Sequence, residues 1–419
     1  MANPPRASQP GRRPASAPVR PRQAPASGVQ SPRQGLLATR FNLGKRFNAE
    51  SPNFYLLAGV TLLTVIIGLM MVLSASAVDS FLQDGGFFVG FFKQAGSAII
   101  AIPLMLWVSR FPLTVYRQWA MGALIFSGIV QLLVFTPLGV ESGGNRNWID
   151  IGVSVQPSEL IKLTVAIWLG VNLPAIIERV GPYSFRIFVS IFPVYIVAGF
   201  VLAGGDLGTT IIIFAIIMAC VAFSGVADRV IILPTLGAVT VVAFYVLTSP
   251  NRMNRILSFL NENCSDYTNS CWQPLHGKWA LANGGIFGVG LGQSKAKWSW
   301  LPAADNDYIF AIIGEELGLI GAILIIILFV LLAVAFTRII RQAKDPLVRI
   351  TTGGIMIWVV GQAFVNIGVV VGLLPVLGVP LPLLSSGGSS LMMTLLAIGV
   401  VLSFTKEEKS IKKPLGRKR

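Results

Sequence analysis

Residues 307–337 read DYIFAIIGEELGLIGAILIIILFVLLAVAFT, and from Leu317 to Thr337 the run carries no charge. A hydrocarbon layer of about 30 Å takes about 20 apolar residues as a helix, so this stretch is a membrane span. Working outward, similar runs lie at residues 53–77, 88–108, 119–139, 158–176, 187–204, 208–226, 230–249, 350–372 and 388–405. With 309–337 they predict an all-α integral membrane protein of about ten transmembrane helices. Composition agrees: 12% of the 419 residues are charged, against roughly 25% in a soluble domain. The uncharged run 350–405 exceeds one helix, and Pro375, Pro380, Pro382, Gly387 and Gly388 divide it in two.

Cations gather in alternate connections: Arg110 and Arg117, Arg179 and Arg186, Arg229, then Arg338, Arg341, Lys344 and Arg349, then the tail from Lys406. Segments 78–87, 205–207 and 375–387 hold no Lys or Arg. The positive-inside rule therefore puts both termini in the cytoplasm and residues 250–308 outside, as one large extracytoplasmic loop between spans seven and eight. Residues 1–50, basic and rich in Pro, Ser and Ala, are expected to be a disordered cytoplasmic tail; 51–405 form the membrane domain, and 406–419 a second basic tail. No charged n-region runs directly into a short apolar h-region, so the first span is expected to be retained. The net charge of +15 belongs to span ends and tails rather than to one soluble face, which argues against nucleic acid.

Of three cysteines, Cys264 and Cys271 fall in the outward loop, where an oxidising compartment permits a disulfide. Cys220, inside a span, reads as a small apolar filler. His276 is the single histidine, a thin basis for a histidine metal or acid–base centre. Ionisable groups at or within the membrane are costly and mark functional sites, and three clusters qualify. The first runs from Asn145-Arg146-Asn147-Trp148 to Gln156-Pro157-Ser158-Glu159, with Lys162 three residues after Glu159 and on the same helix face. An ion pair that neutralises itself explains Glu159 and Lys162 as well as a substrate contact does. The second is the large loop, with Arg255, Gln273, Gly288-Val289-Gly290-Leu291-Gly292, Lys297, two tryptophans and then Asp307. Its cations suit an anionic head group, its tryptophans an interfacial anchor, and Asp307 either chemistry or a helix cap. The third is Glu315-Glu316; Asp206, opening the sixth span, reads mainly as an N-cap.

Those residues carry a resemblance. Asn147-Trp148-Ile149 with Gln156-Pro157-Ser158-Glu159-Leu160, Asp206-Leu207-Gly208-Thr209, Gly288 to Gly292, Asp307 to Gly318, and Asn366-Ile367-Gly368 with Leu381-Pro382 and Ser385 to Ser390 occur in the order found in the SEDS family (shape, elongation, division and sporulation). The chain resembles that family over nearly all of 53–405, and around Leu383 to Leu391 it looks closer to the division branch than to the elongation branch. It departs in having Ala303 and Asp305 where Glu and His are usual, Ser386 for Tyr, Gly205 for Pro, and a cysteine-bounded insertion after Ser258-Phe259-Leu260.

The resemblance implies a glycosyltransferase of the bacterial cytoplasmic membrane that polymerises lipid II into peptidoglycan at the outer face, at the septum during division. Asp307 would be the catalytic base. Glu159 would orient Lys162, and Arg146, Lys162, Arg255 and Lys297 are the candidate cations for the pyrophosphate. A divalent cation between Asp307 and the pyrophosphate would serve the same end. The implied partner is a class B penicillin-binding protein, with other division proteins reaching the cytoplasmic tails. Two other readings stand beside it: a lipid II flippase with Glu315, Glu316 and Lys162 along the path, and the elongation paralogue of the same polymerase.

Overall fold

Ser51 and Pro52 open the first membrane helix: the Ser51 hydroxyl accepts the Phe54 N–H at 3.2 Å, and Pro52 occupies a position where no N–H is needed. The computed structural model describes residues 50–142, 145–150, 152, 154–260, 271–298 and 300–412. The expected tail 1–50 therefore lies, but for Glu50, outside the described residues, as does Cys264.

In chain order the helices are α1 (Pro52–Ala75), α2 (Ala77–Asp84), α3 (Val89–Val108), α4 (Leu113–Leu132), α5 (Pro157–Val180), α6 (Arg186–Ser190), α7 (Phe192–Ala203), α8 (Leu207–Phe223), α9 (Asp228–Leu247), α10 (Pro250–Leu260), α11 (Trp272–Gly284), α12 (Ile309–Gln342), α13 (Pro346–Met356), α14 (Gln362–Val370) and α15 (Gly388–Lys412). A π turn, Ile357–Gly361, joins α13 to α14. Among the described residues, eight helical segments are long and apolar enough to cross a membrane. Two more apolar helices, α7 and α8, are shorter, and α7 with 12 residues reaches only about 18 Å. Each of the ten expected spans falls on one of these segments. The third begins at Leu113 rather than near 119, after Pro112, with Arg117 inside the helix and paired with Asp345, the N-cap of α13. The last helix continues past 405 to Lys412, and Lys406 approaches Glu50 at 3.8 Å, so the two ends of the membrane domain meet.

Helices α5, α13, α14 and α15 form the buried centre, while α9 shows its apolar side chains outward. Small residues let the central helices close up: a Cβ on Gly354 would stand 2.6 Å from the sulfur of Cys220, which fits the reading of that cysteine as filler.

Two features differ from an all-helical bundle with one outward loop. The connection after α4 folds into an antiparallel sheet of β1 (Gly139–Ser142), β2 (Asn145–Asp150) and β3 (Ser154–Val155), with Gly139 opposite Ile149 and Ile149 opposite Val155. Residues 250–308 are likewise not a simple loop. They carry α10 and α11, and then the chain turns back against α12, which is broken at Gly318 (φ 68°, ψ −165°). The break exposes backbone groups that hydrocarbon would not satisfy. The returning segment satisfies them: Val289 and Gly290 N–H groups donate to the Glu315 and Glu316 carbonyls, and Leu319 and Ile320 N–H groups donate to those of Gly285 and Ile286, at 2.9–3.3 Å.

Candidate functional site

The uncharged, proline-rich segment 375–387 grips the chain just before α12. Three consecutive carbonyls accept from it and its neighbour α14: Asp305 from the Ser386 N–H at 2.8 Å, Asn306 from the Ser385 hydroxyl at 2.7 Å, and Asp307 from the Asn366 amide at 2.7 Å. The same Asn366 amide donates to the Val379 carbonyl at 2.8 Å, locking the two segments together. Ala303 adopts φ 52° and its carbonyl takes the Asn306 and Tyr308 N–H groups. Tyr308 is fully buried against Gly277 of α11, where any added Cβ would come within 2.6 Å of its ring.

Asp307 is thereby held at the wall of a cavity of about 480 Å³. No hydrogen bond among the described residues occupies its carboxylate. Burial pushes its pKa up to about 6; Arg255 pulls it down, and Asp206 and Asp305 push it up. Arg255, on α10, lines the same cavity, and a Cβ built on Gly378 would lie 3.8 Å from both Arg255 Nη1 and Asp307 Oδ2, so the two groups converge there. Gly378 itself adopts φ 68°, a conformation that suits glycine, and it leaves this gap open. Arg252, one turn before Arg255, is anchored, donating to the Gly205 carbonyl at 2.6 Å and lying over the Tyr245 ring at 4.4 Å.

Asn147 of β2, Gln156 and Asp206 line the same cavity. Asp206 is the N-cap of α8, its Oδ1 accepting the Thr209 N–H at 2.9 Å, as read from sequence. Its Oδ2 does something the sequence did not suggest, accepting from the Asn147 amide at 2.8 Å and the Gln156 amide at 3.1 Å. The strand alternates, so Asn145 and Asn147 reach the cavity while Arg146 between them is exposed and donates to the Thr136 carbonyl at 2.7 Å.

Of the residues chosen from sequence, the cavity gathers Asp307 and Arg255. Glu159 and Lys162 sit elsewhere, as a buried pair at 2.7 Å. Lys162 also reaches Gln362 Oε1 at 3.2 Å and lies over the Trp358 ring of the π turn at 5.0 Å. Gln362 donates to the Pro380 carbonyl at 2.8 Å, so the pair braces the cavity wall from behind. Lys297 is taken up by Glu316 at 3.2 Å, the Ser74 hydroxyl at 3.1 Å and the Gly292 carbonyl at 2.6 Å. Glu315 accepts from Asn283, from the Lys295 and Ala296 N–H groups and from the Ser294 hydroxyl. Gln273 donates to the Pro302 carbonyl at 3.1 Å, and His276 bonds the Trp272 carbonyl within α11. Cys271 is disulfide-bonded. Asn147 and Gln156, within the first polar cluster of the sequence, and Asp206, read there as an N-cap, carried no substrate role in that reading, and Arg252 was not singled out. The available signal was their position: polar side chains in short connections at the expected outer face.

No group of three His, Cys, Asp or Glu side chains among the described residues is placed to hold a metal ion. A divalent cation in the cavity would find one carboxylate without hydrogen bonds among the described residues, Asp307.

The family model for cell cycle proteins of the FtsW, RodA and SpoVE type matches residues 54–410. The probable peptidoglycan glycosyltransferase FtsW of Mycobacterium tuberculosis is 39% identical over 378 residues, covering 89% of this chain and 72% of that one. Stage V sporulation protein E of Bacillus subtilis is 36% identical over 364 residues, covering 85% of this chain and 97% of its own. A chain from a peptidoglycan synthase complex, solved to describe structural coordination of polymerization and crosslinking, shares the fold, with a TM-score of 0.69 at 21% identity over 86% of this chain and 99% of that one. The motifs, the ten apolar segments and these matches agree: the chain is a multi-pass membrane protein belonging to the FtsW/RodA/SpoVE family.

Proposed function

We propose that this protein is an inverting glycosyltransferase that polymerises lipid II into peptidoglycan strands at the outer face of the cytoplasmic membrane during cell division. One observation carries the reading: a desolvated carboxylate with no hydrogen bond among the described residues, Asp307, converges with Arg255 in one cavity at the expected outer face. Curated relatives at 33–39% identity that are named as peptidoglycan glycosyltransferases of the FtsW type support both the activity and the division role.

In the reaction, the acceptor sugar hydroxyl attacks the anomeric carbon of the lipid-linked donor, the new C–O bond forms, and the bond from that carbon to the pyrophosphate oxygen breaks with inversion. Asp307 takes the hydroxyl proton, and a buried carboxylate titrating at about 6 is basic enough to receive it yet ionised at neutral pH. The pyrophosphate leaves with the bonding pair, and Arg255 stabilises its charge in a site of low dielectric. Asp307 is also the carboxylate that would hold a divalent cation arriving with the pyrophosphate. We further propose a class B penicillin-binding protein as partner, other division proteins at the cytoplasmic tails, and residence at the septum.

The test is polymerisation of lipid II by purified protein with its transpeptidase partner present. Asp307→Ala and Asp307→Asn, at wild-type folding, are expected to lose about 10²- to 10⁴-fold in rate. Retained activity in Asp307→Asn would return Asp307 to a structural role.

A further inference from the structure

The segment that grips the chain before α12 is itself strained and is held from two other membrane helices. Leu383 adopts φ 67°, left-handed backbone that disfavours any residue carrying a Cβ. Such a conformation persists only where its surroundings over-determine it. On α1, Gly68 makes room for it, since a Cβ there would stand 2.4 Å from the Leu383 carbonyl oxygen. On α3, Gln94 is 3% exposed and spends both ends of its carboxamide on the same segment: Nε2 donates to the Ser385 carbonyl at 3.1 Å, and Oε1 accepts the Gly387 N–H at 3.0 Å. Ser386, between the two clipped groups, is the residue whose N–H holds the Asp305 carbonyl. Ser385 is the one whose hydroxyl holds that of Asn306. Two of the three carbonyl bonds that fix the chain around Asp307 thus come from residues that Gln94 holds in place.

Resting on the proposed polymerase activity, we infer that Gln94 is a positioning residue for the base, clipping residues 385–387 so that the Asp305–Asp307 backbone stays in one place. Gln94 is not among the residues lining the cavity, so it acts through this segment rather than on substrate. A base displaced by about 1 Å loses its alignment with the acceptor hydroxyl while the remaining substrate contacts survive, so the effect falls on kcat. The segment presents one carbonyl and one N–H, and only a group with both a donor and an acceptor satisfies the two. A glutamate has that pair when protonated and acceptors alone when ionised. At this end of α3, the titratable groups on the elements concerned are Asp79 and Asp84 on α2, Lys93 on α3 itself and Asp305 beyond Ser386. Substitution at position 94 leaves all of them in place, so the ratio of variant to wild-type rate reports on that position.

The experiment measures lipid II polymerisation by the full-length protein with its partner, per folded molecule, from about pH 5 to 9. Wild type is compared with Gln94→Met, which keeps the length of the side chain and removes both hydrogen bonds, and with Gln94→Glu. Gln94→Met is expected to lose about tenfold or more in kcat at every pH, with KM within about threefold of wild type. Gln94→Glu should come within about threefold of wild-type kcat at the acidic end, where its carboxyl is protonated, and any further loss should appear only as pH rises and the carboxyl ionises. A side chain that merely fills space would not separate the two variants in this way. A folded Gln94→Met with kcat within about threefold of wild type overturns the inference, as does a loss carried by KM alone. So does a Gln94→Glu as slow as Gln94→Met at the acidic end. If Gln94→Met does not fold, the acidic-end rate of Gln94→Glu decides by itself. Absence of any polymer from the wild type would instead refute the polymerase reading, so the two failures are separable.

Discussion

Lys297→Met keeps the length of the side chain and removes its ammonium, and the surroundings make that change expensive. Lys297 and Glu316 have side-chain exposures of 6% and 0%. The ammonium also meets the Ser74 hydroxyl and the Gly292 carbonyl, so its loss unpairs several groups at once. Glu316 Oε2 already has no hydrogen bond among the described residues, and the Ser74 hydroxyl at 2.6 Å and the more distant Ser294 N–H would be left to hold Oε1. Removing one partner of a buried pair typically costs about 3–5 kcal/mol. By contrast the Arg117–Asp345 pair, 54% and 20% exposed, is worth about 0–1 kcal/mol. Thermal stability of the purified protein in detergent should therefore fall further in Lys297→Met than in Arg117→Ala. Adding Glu316→Gln, which removes the stranded charge, should recover a large part of the loss. Lipid II KM of the folded fraction should stay within about threefold of wild type, because Lys297 lies outside the cavity. A double variant no more stable than Lys297→Met refutes the pairing. A tenfold rise in KM in well-folded protein would restore Lys297 as a pyrophosphate ligand.

The pH profile of kcat/KM should show an acid limb near pH 6, since the base must be ionised and burial raises its pKa; below that, the rate falls about tenfold per pH unit. Arg255→Gln removes the cation that favours the carboxylate, so the limb should move to higher pH, and a limb that stays in place would show that Arg255 does not face Asp307. Gly288→Ala should abolish folded yield, because its Cβ would stand 2.1 Å from the Glu316 carbonyl oxygen where the returning segment mends the broken helix. Gly292→Ala, with a similar positive φ but nothing within 4 Å, meets only backbone strain of about 1–2 kcal/mol and should fold; equal behaviour of the two would contradict the packing described.

Much of the architecture is legible along the chain, because hydropathy over about 20 residues and the side on which Lys and Arg collect are local properties. They mark ten apolar segments without reference to any contact. Asp307 is legible for a related reason: a carboxylate at the mouth of an apolar helix is conspicuous before its neighbours are known. What that carboxylate faces is not legible. Arg255 meets it from another helix, while Asn147 and Gln156 come from the connection between α4 and α5 and Asp206 from that between α7 and α8, and their hydrogen bonds exist only once α5, α8 and β2 are packed. Lys297 shows the converse. As a cation near the outer face it was a reasonable pyrophosphate ligand, but packing gives it the buried carboxylate of Glu316, whereas the pairing of Lys162 with Glu159, three residues apart on one helix, is readable along the chain. The break at Gly318 was hidden for the same reason, since an apolar run reads as a continuous helix until another segment supplies its missing hydrogen bonds. Sequence determined which stretches leave water; the tertiary structure decided which polar groups meet there, because a buried charge takes its meaning from the partner that folding places against it.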